Sequence, residues 1–166
     1  MKKIIPIIII LLVVVISLIV FFGKDNIEQN LTAEEIANKI KEKNSNVGRI
    51  VVYDEKTDIN ELLGRPNQYT SKATFEDLRI EQINKNLDKE YFSEEEINEP
   101  IGGTIEVFKN EKDMKKRKKY IEEITSSISV FAEYSYGEKV YLLRLNNSLT
   151  PSQAEEYKNI FYEIVK

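Results

Sequence analysis

The sequence contains neither cysteine nor histidine among its 166 residues. Without cysteine, the chain cannot form a disulfide bond, and it has no thiol nucleophile or thiolate metal ligand. Without histidine, it lacks the commonest metal ligand and the commonest general base near neutral pH. These absences exclude thiol catalysis and every catalytic or metal site that depends on an imidazole.

One long apolar segment is present, because residues 4–22 carry no charge. A helix of these 19 residues would be roughly 28 Å long, close to the hydrocarbon thickness of a bilayer. A cleaved signal peptide would have a shorter apolar stretch that ends at small residues, whereas this segment ends Ile-Val-Phe-Phe-Gly-Lys. The sequence therefore predicts an uncleaved signal-anchor transmembrane helix in residues 1–22.

The charges on either side of this segment predict its orientation. Lys2 and Lys3 favour a cytoplasmic N-terminus, because basic flanks resist translocation across the membrane. Residues 23–31 are then a polar linker, and residues 32–166 form a domain outside the cell membrane. The chain has 24 basic and 28 acidic residues; without the two lysines, 22 and 28 remain, a net charge of −6. This charge argues against nucleic acid as a partner.

The sequence after residue 32 alternates between helical and strand patterns, which predicts an α+β domain. Thr32 with Glu35, and Thr150 with Gln153, are capping boxes that start two helices, and Asn110 is placed to cap a third. Strand patterns occupy residues 47–53, 69–80 and 104–108 and both arms of a hairpin over residues 127–146. We expect a two-layer domain, with a mainly antiparallel sheet of about five strands packed by about three helices.

The segment "DINELLGRPNQYTSK", residues 58–72, predicts a turn rather than a phosphate-binding loop. Asp58 can cap a single helical turn, Gly64 occupies a position that favours a left-handed backbone, and Pro66 prevents the helix from continuing. A phosphate loop would need more glycines and a Gly-Lys-Ser/Thr end. The turn leaves Arg65 and Asn67 without a structural role.

The strand pattern of residues 69–80 contains an irregularity, because its apolar residues change face after Phe75. A β-bulge at residues 76–77 would restore the alternation. In the absence of a bulge, Asp77 and Arg79 would point the same way as Phe75 and form an ion pair at the edge of the core.

The hairpin pattern contains a two-residue Gly-x sequence, Gly137-Glu138, that suits a type II′ turn. This turn would pair Tyr136 with Lys139, and it would place Tyr134 opposite a tyrosine at position 141. The face on which these rings lie would be apolar, and the other face would be partly covered by a helix or a partner.

Two charged segments have ordinary structural explanations. The acidic residues 90–96 lack the Asp/Asn alternation and central glycine of a calcium loop, so they predict a solvated loop. The basic residues 115–119 lie four positions from acidic residues on a predicted helix, for example Arg117 from Asp113. The sequence predicts no catalytic, cofactor-binding or metal-binding residues and no cofactor.

A candidate interaction surface remains at the strand that follows the turn. It consists of Arg65, Asn67, Tyr69, Asp77 and Arg79. Arginine and tyrosine are residue types that interfaces use as anchors. The alternative explanation for Asp77 and Arg79 is that they protect an exposed strand edge against aggregation.

Several motifs together resemble a group of small membrane-anchored or lipoprotein-like proteins of Gram-positive bacteria such as clostridia. They are Thr57-Asp58, "LLGRPNQYTSK", "FEDLRI", "GGTIEVF", and a helix with Arg117 and "YIEEI". The resemblance implies an extracytoplasmic α+β domain and assigns it no activity. A helix followed by Leu-x-Gly-x-Pro is also similar, over a short stretch, to binding modules of outer-membrane assembly lipoproteins and β-lactamase inhibitor proteins.

The sequence thus predicts a single-pass membrane protein with a non-catalytic, extracytoplasmic binding domain. Its expected partners are the membrane, through residues 4–22, and an envelope protein or polymer. The alternative is a carboxylate-dependent hydrolase of the cell envelope that uses Asp77 and a nearby glutamate.

Overall fold

A computed structural model of the chain describes residues 31–82, 90–91, 93–127 and 132–166. The described residues form an α+β unit with a five-stranded sheet and four helices. In chain order, the elements are α1 (Ala33–Lys43), β1 (Val47–Val52), β2 (Tyr69–Asp77), α2 (Glu94–Asn98), β3 (Gly102–Phe108), α3 (Glu111–Ser127), β4 (Glu133–Glu138), β5 (Tyr141–Asn146) and α4 (Pro151–Val165). The predicted membrane segment lies outside the described residues, and none of the helices within them is long and apolar enough to cross a bilayer.

The sheet has the strand order β1-β2-β3-β5-β4, and every neighbouring pair is antiparallel. Across its centre, Ala73 of β2 lies opposite Ile105 of β3, which lies opposite Leu143 of β5. Since side chains alternate between faces along a strand, the odd-numbered residues of these strands from Ser71 onward share one face and the even-numbered residues share the other. A register shift between Tyr69 and Ser71 places Tyr69 on the even-numbered face, opposite Phe108.

The odd-numbered face carries the main core, covered by α1 and α4. Both helices begin with the predicted capping boxes, in which Thr32 and Thr150 accept from the backbone amides of Glu35 and Gln153. Each helix buries one stripe against the sheet. The buried helical residues are Ala33, Ile36, Ala37, Ile40, Ala154, Tyr157, Phe161 and Val165.

The even-numbered face is covered only in part, by α3 and by the loop of residues 54–68. A smaller apolar cluster forms where they meet the sheet; it contains Tyr53, Leu63, Tyr69, Phe108, Met114, Ile121 and Leu142. The N-terminus of α3 is capped as predicted, because the amide of Asp113 donates to Asn110 Oδ1 at 3.0 Å. The remainder of this face is polar and lines cavities.

The irregularity predicted within residues 69–80 is resolved differently from the expected bulge. Strand β2 ends at Asp77, and the register shift lies in β1, where two residues stand opposite Glu76. Since β2 has no extra residue at positions 76–77, Asp77 shares a face with Phe75 and forms the expected ion pair with Arg79. A turn after Asp77 then lets Ile80 return to the main core.

The predicted hairpin register is wrong: the turn lies two residues further along the chain, so the partner of Tyr134 is four positions further on than expected. Tyr134 pairs with Leu145, and Glu138 pairs with Tyr141, so Lys139 and Val140 form the turn. The face assignment is unaffected, because an even shift keeps each side chain on its face. Gly137 serves packing instead of the turn: a Cβ at this position would lie 2.8 Å from the sulfur of Met114 on α3.

Candidate functional site

The partly uncovered sheet face holds a groove formed by two adjoining cavities. Their volumes are about 370 and 510 Å³, and Asn60, Glu133 and Arg144 contribute to the walls of both. We call the two together the central groove. Its polar end lies over Thr74 and Thr104, which are neighbours on β2 and β3. Its apolar end is lined by Leu62, Tyr120, Ile121 and Ile124.

The register of the sheet places charged residues of neighbouring strands opposite one another or opposite a threonine, beside this groove. Lys72 lies opposite Glu106, and Thr104 lies opposite Arg144. Helix α3 adds Arg117, and the 54–68 loop adds Asp58. The resulting charged network consists of Asp58, Lys72, Glu106, Arg117, Glu133 and Arg144.

Lys72 is the most deeply buried cation of this network, with a side chain 1 % exposed. Its Nζ lies 2.9 Å from Asp58 Oδ1 and 3.7 Å from Glu99 Oε1. It also lies 4.2 Å from the ring centre of Tyr53, within cation–π distance. Contacts with the carboxylates of Asp58 and Glu99 and with the ring of Tyr53 therefore compensate the ammonium group of Lys72 for the hydration that it loses on burial.

Asp58 joins Lys72 to the loop above the sheet. Its Oδ2 accepts the hydroxyl of Tyr69 at 2.7 Å and the amides of Leu62 and Leu63 at 2.9 and 3.0 Å. Burial alone would raise the pKa of Asp58, but the bonds from Tyr69, Lys72 and the two amides outweigh it and lower the pKa to about 2. Asp58 is therefore ionised at neutral pH, as an anchor of the loop.

Glu106 is the corresponding buried anion of β3, and two arginines hold it. Arg117 donates from Nε and Nη2 at 3.2 and 3.3 Å, and Arg144 donates from Nη1 at 2.9 Å. Arg144 also donates to both carboxylate oxygens of Glu133, at 2.7 and 2.9 Å. This bidentate pair fixes the guanidinium plane at the wall of the groove.

The structure does not bring the five residues of the predicted interaction surface together. Arg65 and Asn67 are exposed at the start of β2, whereas Asp77 and Arg79 lie at its far end. Tyr69 and Asp77 are fully buried, so neither offers surface to a partner. Arg65 forms an exposed ion pair with Glu61 at 3.1 Å.

Asp77 anchors α4 to the sheet. It accepts the hydroxyl of Tyr157 at 2.6 Å and Nη2 of Arg79 at 2.7 Å, and Arg79 also contacts Glu156 at 3.0 Å. Burial would raise the pKa of Asp77, but the hydrogen bonds from Arg79 and Tyr157 outweigh it, so the pKa is lowered. The carboxylate is therefore an ionised structural group beneath a helix.

Sequence reasoning missed the charged network of the groove. Lys72 and Glu106 each carry a charge at the middle of an otherwise suitable core strand, and this was the available signal. Arg117 was assigned to a surface pair with Asp113, but it turns inward to Glu106. The other three predicted pairs of α3 do form, namely Lys115–Glu111, Lys118–Glu122 and Lys119–Glu123.

The charged side chains that border the groove are already paired with one another. Among the described side chains, Ser135 Oγ is the buried polar atom without a hydrogen-bond partner. Within the same ranges, no group of three or more acidic residues is placed to hold a metal ion. The accessible groups are amides, hydroxyls and the outer edges of the ion pairs, which are suited to hydrogen bonding with a ligand.

Searches with protein-family models, curated proteins and solved structures found no match to this chain. The resemblance to membrane-anchored proteins of Gram-positive bacteria therefore stays a prediction, and the case for a function depends on the groove.

Proposed function

We propose that residues 31–166 form a non-catalytic binding domain whose central groove takes a ligand of the cell envelope. The observation that carries this proposal is the open groove over a buried, fully paired charged network. Burying a charged side chain costs several kcal/mol per ion before pairing. A sheet face that only formed a core would avoid this desolvation cost if its residues were apolar. Here the charges hold side chains at fixed positions around an open cavity.

The fixed positions favour binding because little order has to be created when a ligand arrives. Arg144 is held by Glu106 and Glu133, and Asp58 holds the loop that carries Asn60. Preorganised polar groups lose less conformational entropy on association than mobile ones. The cavity volumes are also within the range of ordinary ligand sites.

The alternative proposal, a hydrolase that uses Asp77, receives no support from the surroundings of that residue. A catalytic acid or nucleophile needs a carboxylate that reaches the substrate. The carboxylate of Asp77 is instead engaged by Tyr157 and Arg79 beneath α4.

We also propose that residues 4–22 anchor the domain in the cell membrane with the N-terminus in the cytoplasm. The uncharged length of this segment and its basic flank support the proposal. Protease added to intact protoplasts should then remove the domain. Survival of the domain until the cells are lysed would show that it lies inside, and a mature chain that begins near Gly23 would rule out the anchor.

The binding proposal can be tested by filling the groove. Thr104 lies on its floor, so Thr104→Trp should block the polar end and leave the main core unchanged. The control is Asn38→Trp, which adds the same bulk on the exposed side of α1. The measurement is co-sedimentation of the full chain with isolated, protein-stripped cell walls.

We expect the wild type and Asn38→Trp to sediment with the walls and Thr104→Trp to remain in solution. Circular dichroism and thermal unfolding would establish that both variants are folded. Equal sedimentation of the two folded variants would contradict a role for the groove.

A further inference from the structure

Tyr120 is an exposed aromatic side chain at the apolar end of the central groove. It is 55 % exposed, and it lines both the 510 Å³ cavity and a neighbouring cavity of about 310 Å³. Tyr91 is 75 % exposed but does not line these cavities. An aromatic ring left in water on a cavity wall is a typical anchor for a ligand.

Arg117 lies within cation–π distance of the ring of Tyr120. The guanidinium carbon of Arg117 lies 5.9 Å from the ring centre of Tyr120 and 5.9 Å from that of the buried Tyr69. Arg117 is fixed in turn by its two hydrogen bonds to Glu106. A platform supported from the sheet in this way loses little freedom when a ligand packs on it.

Two amide side chains border the same ring. Asn67 and Gln68 line the 310 Å³ cavity together with Tyr120 and Leu62. Neither amide makes a hydrogen bond to the described part of the chain. Asn67 has a φ of 62°, a left-handed conformation that asparagine adopts more readily than most residues. Their donors and acceptors are therefore available to a ligand beside the ring.

We propose that the apolar end of the central groove and the neighbouring 310 Å³ cavity together bind a neutral glycan, with one face of a sugar ring stacked on Tyr120. Hydroxyl groups at the edge of the sugar would hydrogen-bond to Asn67 and Gln68. A pyranose has an apolar face of C–H groups and a rim of hydroxyls, and it matches an aromatic ring bordered by amides. This inference rests on the proposed binding function and names the class of its ligand.

The charge of the domain favours a neutral glycan over an anionic polymer. Beyond Lys3, the chain carries 22 basic and 28 acidic residues, so a polyanion would be repelled on approach. Both signs of charge border the ring, from Asp113, Lys116 and Arg117, and no single-sign patch forms there. An extended peptide is the competing occupant and serves as an outcome of the test.

The test measures binding of soluble oligosaccharides of N-acetylglucosamine and of glucose by calorimetry. It uses the full chain in a detergent without a sugar headgroup, so that the detergent does not compete. We expect at least one probe to bind, and Tyr120→Ala to weaken binding by about tenfold or more. Tyr120→Phe keeps the stacking ring and should bind within about threefold of the wild type, whereas Tyr91→Ala, the control, should leave binding unchanged.

Binding that is equal in the wild type and in folded Tyr120→Ala would overturn the inference, as would failure of both oligosaccharides to bind. The outcome is distinguishable from failure of the proposed function. Suppose that peptides bind, oligosaccharides do not, and Thr104→Trp abolishes peptide binding. The proposal that the groove is a binding site is then supported, and the proposal that its ligand is a glycan is wrong. If folded Thr104→Trp still sediments with cell walls, the proposal that the central groove binds the ligand is wrong.

Discussion

Lys72 illustrates at the scale of one residue why the charges of the groove depend on one another. It is buried on the central strand β2 and pairs with Asp58 at 2.9 Å. Removing one partner of a buried pair leaves the other charge uncompensated, which costs about 3–5 kcal/mol. We therefore expect Lys72→Met to lower the free energy of unfolding by about this amount in urea denaturation.

Lys115→Met is the matched control, because it removes the same charge from an exposed pair with Glu111. Exposed pairs of this spacing contribute about 0.3–0.5 kcal/mol, so the control should be nearly as stable as the wild type. If Lys72→Met were no less stable than Lys115→Met, the buried pair would not be the support that the structure indicates.

Gly64 shows how a single backbone conformation shapes the loop above the groove. Its φ is +77°, and its amide donates to the carbonyl of Tyr69 at 2.9 Å. A residue with a Cβ in this conformation costs roughly 1–2 kcal/mol, and the Cβ would also meet the carboxylate of Glu55. Gly64→Ala should lower the melting temperature by a few degrees in a thermal scan.

A double variant separates the two causes. Glu55→Ala removes the contact but not the left-handed backbone, so Gly64→Ala with Glu55→Ala should recover only part of the loss. Full recovery would assign the whole effect to the contact, and an undisturbed single variant would remove the structural role of Gly64.

At the scale of elements, the attachment of α4 to β2 depends on a hydrogen bond to a buried carboxylate. Tyr157 donates to Asp77 at 2.6 Å, and hydrogen bonds to charged groups contribute about 1.5–3 kcal/mol. Tyr157→Phe should reduce stability at pH 7 by about that amount. Tyr162→Phe, on the same helix, is the control, because that hydroxyl makes no hydrogen bond within the described residues.

The effect of Tyr157→Phe should depend on pH. The pKa of Asp77 is lowered in the folded state, so its ionised form contributes stability above the unfolded pKa, about 3.9, and this contribution is lost as the pH falls through the folded pKa. The difference between wild type and variant in urea unfolding should therefore shrink below about pH 4. A difference that stays constant from pH 7 to pH 2 would contradict this role of Asp77.

Helix ends were predictable from the sequence because their causes are local. The capping boxes at Thr32 and Thr150 each involve residues three positions apart, and both form. The Gly-x signal did not predict the hairpin register, because Gly137 lies within β4 and packs against Met114 of α3 instead of forming the turn. The shift in β1 escaped prediction for a similar reason, since it depends on how that strand pairs with β2.

At the scale of the whole molecule, the two faces of the sheet differ in composition and in cover. One face is closed by α1 and α4 over an apolar core, and the other supports the central groove and its charged network. Strand alternation could have predicted that Lys72 and Glu106 share a face. The strand register that places Lys72 opposite Glu106 depends on tertiary structure, which the sequence pattern does not contain. The same holds for the contact of Arg117 with Glu106.

The residues of the predicted interaction surface also show that a sequence pattern alone does not predict which side chains are accessible. Tyr69 is an aromatic residue at the start of the strand after the turn, and Asp77 belongs to the ion pair at the irregularity of that strand; both positions suggest recognition, yet both side chains are buried. Asn67, a polar residue that the turn does not require, does line a cavity beside Tyr120. Local sequence identified a region of interest, and packing decided which of its side chains remain accessible.

The most direct test of the binding proposal is hydrogen–deuterium exchange of the full chain with and without soluble fragments of cell-wall polymer. The groove is bordered by the 54–68 loop and by residues 99–101. We expect the fragments to slow exchange in these two segments and in α3, and to leave α1 and α4 unchanged. Exchange that is unaffected at saturating fragment concentration, or slowed only in α1 and α4, would contradict binding in the central groove.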